Sequence, residues 1–310
     1  MGFTPSFGSE SLGDTKPEWV PTARQDGKVI LVTGASRGIG YGTAETLAAL
    51  GAHVIMAGND PEPMFEEAMD CIVASTGCRR DQLEYMGLDL GDLSSVRKTV
   101  EDWKGRHGGR VIDVLINNAG IPGRAGTTKD GWELCWGINY LGTVLFTRLM
   151  LPHIKRDGGR IVFVSSSAHA FTLGVPLSES YLRQPGGGFF SLRYGESKLA
   201  VLMFGQELAR RLEKGINTYV VHPGTTGSSF WSSFPEFVQN LIKSVSQTPQ
   251  QGARTSVYCA TEPDLTKDTG KYYADCAVAT PSFWAGNADK SKALWDKTCS
   301  CLDLDSEKLF

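Results

Sequence analysis

The sequence predicts an α/β protein with one doubly wound parallel sheet of about seven strands and helices on both faces. Three observations support this prediction. Short β-branched runs alternate with helical patterns along most of the chain, as expected for parallel strands joined by crossover helices. A glycine-rich turn follows the first strand directly and opens a helix. Polar or small residues follow the later strands, at the edge where such sheets bind ligands.

Composition and charge limit the classes of function. Hydrophobic residues make up 41% of the 310 residues and charged residues 21%, a balance typical of a soluble globular protein. The formal net charge is -3 and no basic run occurs, which argues against nucleic acid as a partner. No apolar run approaches the roughly 18 residues that span a bilayer, and no signal peptide is recognisable. The seven scattered cysteines indicate reduced thiols, so we expect a cytoplasmic protein.

The chain is expected to form one domain, because no repeat, linker or change of composition divides it. Residues 1–24 are rich in Gly, Ser and Pro and predict an N-terminal arm, whereas residues 25–310 predict a single dinucleotide-binding catalytic domain. Two loops, near residues 168–193 and 224–246, are long enough to cover a substrate. The second holds aromatic residues that could line an apolar pocket or belong to the core: Phe230, Trp231, Phe234 and Phe237.

The first strand and the turn after it have the form of a nucleotide site. Residues 28–33 are a β-branched run, and the glycine-rich turn then opens a helical pattern that ends near residue 50. Glycines permit the close approach of a pyrophosphate, and the N-terminus of the helix offers it free N–H groups. A glycine-rich turn without a ligand is the alternative. The cofactor contacts predicted here are Gly34, Ser36, Arg37, Gly38, Ile39 and Gly40.

The end of the second strand, residues 53–57, bears on the choice between NAD and NADP. In dinucleotide folds an acidic residue at this point accepts a hydrogen bond from the ribose 2′-hydroxyl of NAD. Here Gly58 and Asn59 come first, and Asp60 follows one or two places late. Arg37 could instead bind a 2′-phosphate, unless it is only a solvated loop charge. We therefore expect NADP (NADPH) rather than NAD, with Asn59 among the cofactor contacts.

The next two strands, near residues 83–88 and 111–116, end in residues suited to a ligand-facing edge. One helix, over about residues 63–76, precedes them, and a second lies between them. Asp89 could also be a helix-cap carboxylate, and the Asn-Asn-Ala-Gly sequence could be a simple turn. The cofactor contacts predicted at these two strand ends are Asp89, Leu90, Asn118, Ala119 and Gly120.

Asn139 lies inside a long helix that is predicted over about residues 131–155. An amide in a largely apolar helix needs hydrogen-bonding partners. The fifth strand, residues 160–164, ends in Ser165-Ser166-Ser167, where a hydroxyl could bond a substrate oxygen or simply cap a loop. His169, just beyond, is predicted to be a loop histidine rather than a catalytic base.

Tyr194 and Lys198 lie near the start of a helix that is predicted over residues 194–214. Because they are four residues apart, they share one face of that helix. A nearby ammonium lowers the pKa of a phenol from its reference value of about 10 and allows proton transfer near neutral pH. The pair alone is also compatible with an ordinary amphipathic helix.

The rest of the chain continues the alternation of strands and helices. Residues 217–221 predict a sixth strand, and residues 271–274 predict a last one. Helices are expected over residues 251–260 and 288–298. Three further cofactor contacts are predicted just after the sixth strand: Pro223, Gly224 and Thr225.

These motifs, in this order, resemble the short-chain dehydrogenase/reductase family, and the resemblance covers about residues 28–302. It rests on TGASRGIG, the Asn-Asn-Ala-Gly turn, the serines at a strand end and Tyr-x-x-x-Lys. The segments SKLAVLMFGQELARRL and QGARTSVYCATEPDL resemble its retinol dehydrogenase-like and WW-domain oxidoreductase-like branch. The resemblance implies a Rossmann-type fold. These relatives often carry Arg where this chain has Asn59, so the NADP prediction depends more on Arg37.

The resemblance also implies roles for four residues. Tyr194 matches the general acid–base, and Lys198 matches the residue that lowers the tyrosine pKa and holds the nicotinamide ribose. Ser166 matches the residue that hydrogen-bonds the substrate oxygen. Asn139 matches the helix residue that positions a proton-relay water. The implied reaction is hydride transfer at the nicotinamide C4 with proton exchange through Tyr194, which needs no metal.

The leading hypothesis is an NADP-dependent carbonyl reductase or alcohol dehydrogenase with a fairly large, lipophilic small-molecule substrate. The alternatives are a non-redox enzyme and a cofactor-binding regulatory scaffold on the same fold, although a scaffold does not need all four catalytic residues. Fold analogy does not fix the substrate. By analogy with family members, the helices over residues 131–155 and 194–214 could pack across a two-fold axis in a homodimer.

Overall fold

The computed structural model describes residues 19–108, 110–186, 192–224 and 248–309. Within these ranges the strands are β1 Val29–Thr33, β2 His53–Gly58, β3 Leu83–Gly87, β4 Val114–Asn117, β5 Gly159–Val164, β6 Ile216–His222, β7 Lys271–Ala274 and β8 Ala277–Val278. The α-helices are α1 Gly38–Ala49, α2 Glu62–Thr76, α3 Leu93–His107, α4 Thr143–Met150, α5 Glu179–Arg183, α6 Leu192–Arg211, α7 Pro249–Thr261 and α8 Ala288–Leu302.

The strands form one sheet in the order β3-β2-β1-β4-β5-β6-β7-β8, and every pairing up to β7 is parallel. This confirms the predicted doubly wound sheet. The addition is β8, which pairs antiparallel with β7. Asp275 and Cys276 join the two strands with φ angles of 49° and 57°, as in a two-residue hairpin turn. The turn lacks the Asn-Gly or Asp-Gly sequence that marks such hairpins, so the sequence did not predict it.

Both faces of the sheet are buried, which explains the continuous apolar runs of its strands. On β1, Ile30 and Val32 belong to the core cluster that includes residues of α1, α2 and α7. Leu31, between them, belongs to the cluster that includes residues of α3, α4, α6 and α8. Successive side chains of a strand point to opposite faces, so one short strand supplies both layers of the core.

The helix predicted over residues 131–155 is wrong in its bounds and in its type. A π-helix, Cys135–Gly142, leads into α4, and a 3-10 turn, Leu151–His153, ends the segment. The π-helical stretch contains Asn139, whose side chain bonds the backbone of Ile121 in both directions. Single π-helical turns are common at functional sites, and hydrophobic periodicity does not distinguish them from α-helix.

The C-terminal helix α8 covers one side of α6. The Trp295 ring stacks on Phe204 with ring centroids 5.1 Å apart and planes 9° from parallel. The Tyr140 hydroxyl lies 2.7 Å from the Thr298 hydroxyl, and Arg148 Nη2 donates to the Asp305 carbonyl at 2.9 Å. The chain therefore buries part of the α6 surface against its own C-terminal segment.

We expect Trp295→Ala to lower the free energy of unfolding by about 3–5 kcal/mol, because it removes a fully buried aromatic ring from the α6–α8 contact. Equilibrium urea unfolding measures this loss. Lys292→Ala is the control on the same helix, because its ion pair with Asp296 is largely exposed and is worth less than about 1 kcal/mol. Equal losses in the two variants would contradict the packing role of Trp295.

Candidate active site

The glycine-rich turn after β1 packs against the end of β4. Gly34 and Gly38 have φ angles of 66° and 58°, which side-chain-bearing residues rarely adopt. A Cβ atom on Gly40 would lie 2.0 Å from the Gly34 carbonyl oxygen, and one on Gly34 would lie 2.9 Å from Cα of Ala119. The backbone can fold this tightly only with glycine at these positions.

The first turn of α1 is free to bind an anion. Arg37 precedes the helix, and neither its side chain nor an acidic residue of the first turn caps the N–H groups. By contrast, Asp92 caps α3 and Asn287 caps α8 through side-chain oxygens. Uncapped N–H groups at a helix N-terminus fit the pyrophosphate of a dinucleotide. The residues present therefore fit NAD or NADP.

Thr33 and Asn118 join the ends of β1 and β4. The Thr33 hydroxyl accepts hydrogen bonds from the N–H groups of Asn118 and Ala119 at 3.0 and 2.9 Å. The Asn118 amide donates to the Thr33 and Gly34 carbonyls at 2.8 and 3.3 Å. The side chain of Asn118, a predicted cofactor contact, therefore stabilises the glycine-rich turn after β1. Thr33 is not among the predicted site residues, because the sequence shows only a hydroxyl residue at the end of a strand.

The residues expected to choose between NAD and NADP are bonded to one another. Ser36 Oγ donates to Asp60 Oδ2 at 2.5 Å, and Arg37 Nη1 lies 3.2 Å from Asp60 Oδ1. The Arg37 side chain remains 58% exposed, so its guanidinium can still bind a further anion. Asn59, at the end of β2, lies beside this group and is also exposed.

The residues that follow β3 and β4 line the site mainly with backbone atoms and less with side chains. Asp89 accepts a hydrogen bond from the Gly91 N–H at 2.9 Å, and Leu90 is buried in the core. A Cβ atom on Gly120 would lie 3.2 Å from both Asn139 Oδ1 and Lys198 Nζ, so a side chain at this position would crowd both groups. The predicted contacts Ile39, Pro223 and Gly224 lie at the start of α1 and after β6, whereas Thr225 lies outside the described residues.

Lys198 is almost fully buried, with 5% of its surface exposed. Its ammonium donates to the Val164 carbonyl at 2.9 Å and lies 5.8 Å from the centre of the Tyr194 ring. Burial lowers the pKa of Lys198 to about 8, because desolvation disfavours the charged form. The group is therefore mostly protonated at neutral pH but close to releasing its proton.

Tyr194 and Ser166 share a hydrogen bond between their side chains. Burial raises the pKa of Tyr194 above its ordinary value, and the bond with Ser166 works against that rise. The sequence predicted instead that Lys198 lowers this pKa. In the structure desolvation is the largest influence on the pKa of Tyr194, and it raises that pKa.

The three serines after β5 have different partners. Ser165 is 2% exposed, and its hydroxyl donates to the Lys198 carbonyl at 2.8 Å. Ser167 is exposed. Of these three serines, Ser166 is the one whose side chain bonds the Tyr194 side chain. Asn139, 1% exposed, donates from Nδ2 to Ser197 Oγ at 3.1 Å, one residue from Lys198. The structure thus brings the four predicted catalytic residues to one region.

Two absences hold for the described residues alone. No group of three or more His, Cys, Asp or Glu side chains there could hold a metal ion. None of the helices in those ranges combines the length and hydropathy needed to cross a membrane.

Comparison with known proteins supports the resemblance. The family model of the short chain dehydrogenases matches residues 28–181. Retinol dehydrogenase 11 from Homo sapiens is 40% identical over 291 residues, covering 91% of this chain and 88% of that protein. Polyprenol dehydrogenase from Mus musculus is 33% identical over 297 residues, covering 91% and 85%.

Solved structures agree with this relationship. An uncharacterized protein from Mycobacterium paratuberculosis, 29% identical, superposes with a TM-score of 0.71 over 91% of this chain and 96% of its own. A short chain dehydrogenase from Shigella flexneri complexed with NADP, 25% identical, superposes with a TM-score of 0.64 over 81% and 98%. This chain therefore belongs to the short-chain dehydrogenase family, in its retinol dehydrogenase-like branch, and is an NAD(P)-dependent oxidoreductase.

Proposed function

We propose that the chain uses NADP to transfer a hydride between the nicotinamide and a carbonyl or alcohol of a fairly large, lipophilic substrate. The observation that carries this proposal is the Ser166–Tyr194 hydrogen bond beside the buried ammonium of Lys198. These groups lie at the carboxyl edge of the sheet, where ligands of this fold class bind. A regulatory scaffold would have no need of this arrangement.

Each of the four catalytic residues has one task in this proposal. Ser166 hydrogen-bonds the substrate oxygen. Tyr194 gives that oxygen a proton during reduction, and its raised pKa keeps the phenol in the donor form. Lys198 holds the nicotinamide ribose, and Asn139, whose side chain also bonds the Ile121 backbone, positions a proton-relay water beside Lys198. NADPH, when bound, supplies the hydride.

The preference for NADP is supported by Arg37. Its guanidinium is exposed and is held beside the end of β2 by Asp60. A guanidinium matches the geometry of a phosphate better than an ammonium does. Two solved relatives, each 25% identical to this chain, are complexed with NADP and with NADPH. The carboxylate of Asp60 is the group that would accept the ribose hydroxyls of NAD if NAD were bound.

The lipophilic substrate is supported by relatives that are named for retinol and polyprenol. In this chain, exposed apolar side chains lie on the segment that follows Ser166. Phe171 is 73% exposed and Leu173 is 87% exposed. Contiguous exposed apolar surface often marks a binding region, and these two side chains lie two residues apart in the sequence. The predicted aromatic loop, residues 224–246, lies outside the described residues apart from Gly224. Its role in covering the substrate stays a prediction. The cytoplasmic location of the protein also stays a prediction.

A homodimer through the helices at residues 131–155 and 194–214 also stays a prediction. The C-terminal helix α8 already covers part of α6 through the Trp295–Phe204 stack, which argues against a dimer contact at that part of α6. A second copy could use only the part of α6 that α8 leaves free.

We expect Tyr194→Phe to retain NADPH binding and to lose a factor of about 10² or more in kcat, the usual scale for removing a general acid. Loss of NADPH absorbance at 340 nm with a saturated long-chain aldehyde measures turnover, and calorimetry measures binding. Tyr181→Phe is a matched control, because its hydroxyl bonds Glu196 rather than Ser166. Near-normal turnover in Tyr194→Phe would remove this residue from the mechanism.

We expect Arg37→Ala to raise the Kd for NADPH about 10- to 100-fold and to leave the Kd for NADH nearly unchanged, because a charge-assisted bond contributes about 1.5–3 kcal/mol. Calorimetric titration of both cofactors measures the two constants. Arg24→Ala is the control, since Arg24 also forms an exposed pair with an aspartate, Asp26, but away from the glycine-rich turn. Tighter binding of NADH than of NADPH by the natural chain would contradict the NADP proposal.

A further inference from the structure

The peptide group between Ser166 and Ser167 is hydrogen-bonded by an imidazole on each side. The Ser166 carbonyl lies 2.6 Å from Nδ1 of His169. The Ser167 N–H donates to Nδ1 of His222 at 3.3 Å. The histidines come from different elements, since His169 lies in the 3-10 turn Ser167–Phe171 and His222 ends β6.

This peptide lies where the sheet no longer holds the chain. The last ladder bond beside it runs from the Ser165 N–H to the Val221 carbonyl at 2.8 Å. The Ser165 side chain is fixed separately by the Lys198 carbonyl. Ser166 comes next, and its carbonyl accepts from the His169 N–H at 3.1 Å as well as from the His169 ring. Beyond the end of the strand, the two imidazoles therefore supply hydrogen bonds to the backbone in place of the sheet.

The bonds fix the protonation state of both rings. Nε2 of His169 accepts from the Ser282 N–H at 3.1 Å, so Nδ1 must carry the hydrogen that is donated to Ser166. Nδ1 of His222 accepts from Ser167, so the hydrogen of its neutral ring is on Nε2. Burial lowers the pKa of both histidines and favours these neutral forms.

The surroundings contain little charge that would oppose this state. His169 is 3% exposed, and its ring packs edge-on against Tyr272, with centroids 5.2 Å apart. His222 faces Asp275, which raises its pKa, and His169, which lowers it. Among the described neighbours, Asp275 is thus the carboxylate that would stabilise a protonated ring.

We propose that His169 and His222 are positioning residues that together hold the Ser166–Ser167 peptide and so place the Ser166 hydroxyl against Tyr194. The inference rests on the proposed role of Ser166 in binding the substrate oxygen. His169 acts as a hydrogen-bond donor to this peptide and His222 as an acceptor from it. Neither ring exchanges a proton with the substrate.

Matched amide substitutions separate this role from general packing. An asparagine amide reaches the place of Nδ1, whereas a glutamine amide reaches the place of Nε2, because each has the same number of bonds from Cβ. His169→Asn and His222→Asn can therefore keep the bond to the peptide, and His169→Gln and His222→Gln cannot. We expect the glutamine variants to lose a factor of about 10 or more in kcat, since small misplacements of a catalytic group cost this much.

The glutamine variants should bind NADPH with the same Kd as the natural chain. The asparagine variants should retain most of the kcat of the natural chain. Equal losses of kcat within each asparagine–glutamine pair would overturn the proposal, because a merely structural role would not distinguish the two amides. These kinetics are measured at pH 7.5, with thermal unfolding as a check that each variant is folded.

A second measurement does not depend on turnover. Long-range proton–nitrogen NMR of the ¹⁵N-labelled full chain reports the tautomer of each of its five histidines. We expect His169 as the Nδ1–H form and His222 as the Nε2–H form at pH 7.5, assigned by loss of signals in the asparagine variants. Either ring in another tautomer or protonated would overturn the proposal. Absence of turnover in the natural chain with these tautomers present would instead count against the proposed function alone.

Discussion

Two hydrogen bonds between Lys198 and the end of β5 hold the site together. The Lys198 ammonium donates to the Val164 carbonyl at 2.9 Å, and the Ser165 hydroxyl donates to the Lys198 carbonyl at 2.8 Å. They run in opposite directions between the strand end and α6. Because they fix the helix against the strand, they also fix Tyr194 against Ser166, the next residue along. The buried ammonium has a lowered pKa as a result of the desolvation that this contact requires.

The sequence was sufficient for the sheet and for the residues at its carboxyl edge. Apolar runs between glycine-rich or polar turns located the parallel strands, because a strand buried on both faces leaves a distinct pattern. It was not sufficient for the π-helix around Asn139 or for the Asp275–Cys276 hairpin. Both depend on backbone angles that tertiary contacts impose, here the bonds of Asn139 to Ile121 and the pairing of β8 with β7. Local residue types did not signal them.

The roles of individual side chains were harder to predict than their positions. The cofactor contact of Asn118 stays a prediction, and the sequence did not indicate that its amide bonds the backbone of Thr33 and Gly34. His169 lies in the loop after β5, as predicted, but the sequence did not indicate that it is buried and bonded at both ring nitrogens. In each case the sequence identified a residue at the correct edge of the sheet. The hydrogen-bond partners of these residues come from segments distant in sequence, so the residue types around one strand end do not reveal them.

A site that transfers a hydride differs from one that uses the cofactor only as a structural element in where the hydrogen at the nicotinamide C4 goes. Reduction of a lipophilic aldehyde with NADPH deuterated at one of the two nicotinamide C4 positions tests this difference directly, with mass spectrometry of the alcohol product. We expect that deuterium from one position, and not from the other, appears at the former carbonyl carbon, and that Ser166→Ala slows its appearance. An alcohol without deuterium from either position, or NADPH that binds tightly and is never oxidised by any aldehyde tested, would show that this site does not transfer a hydride.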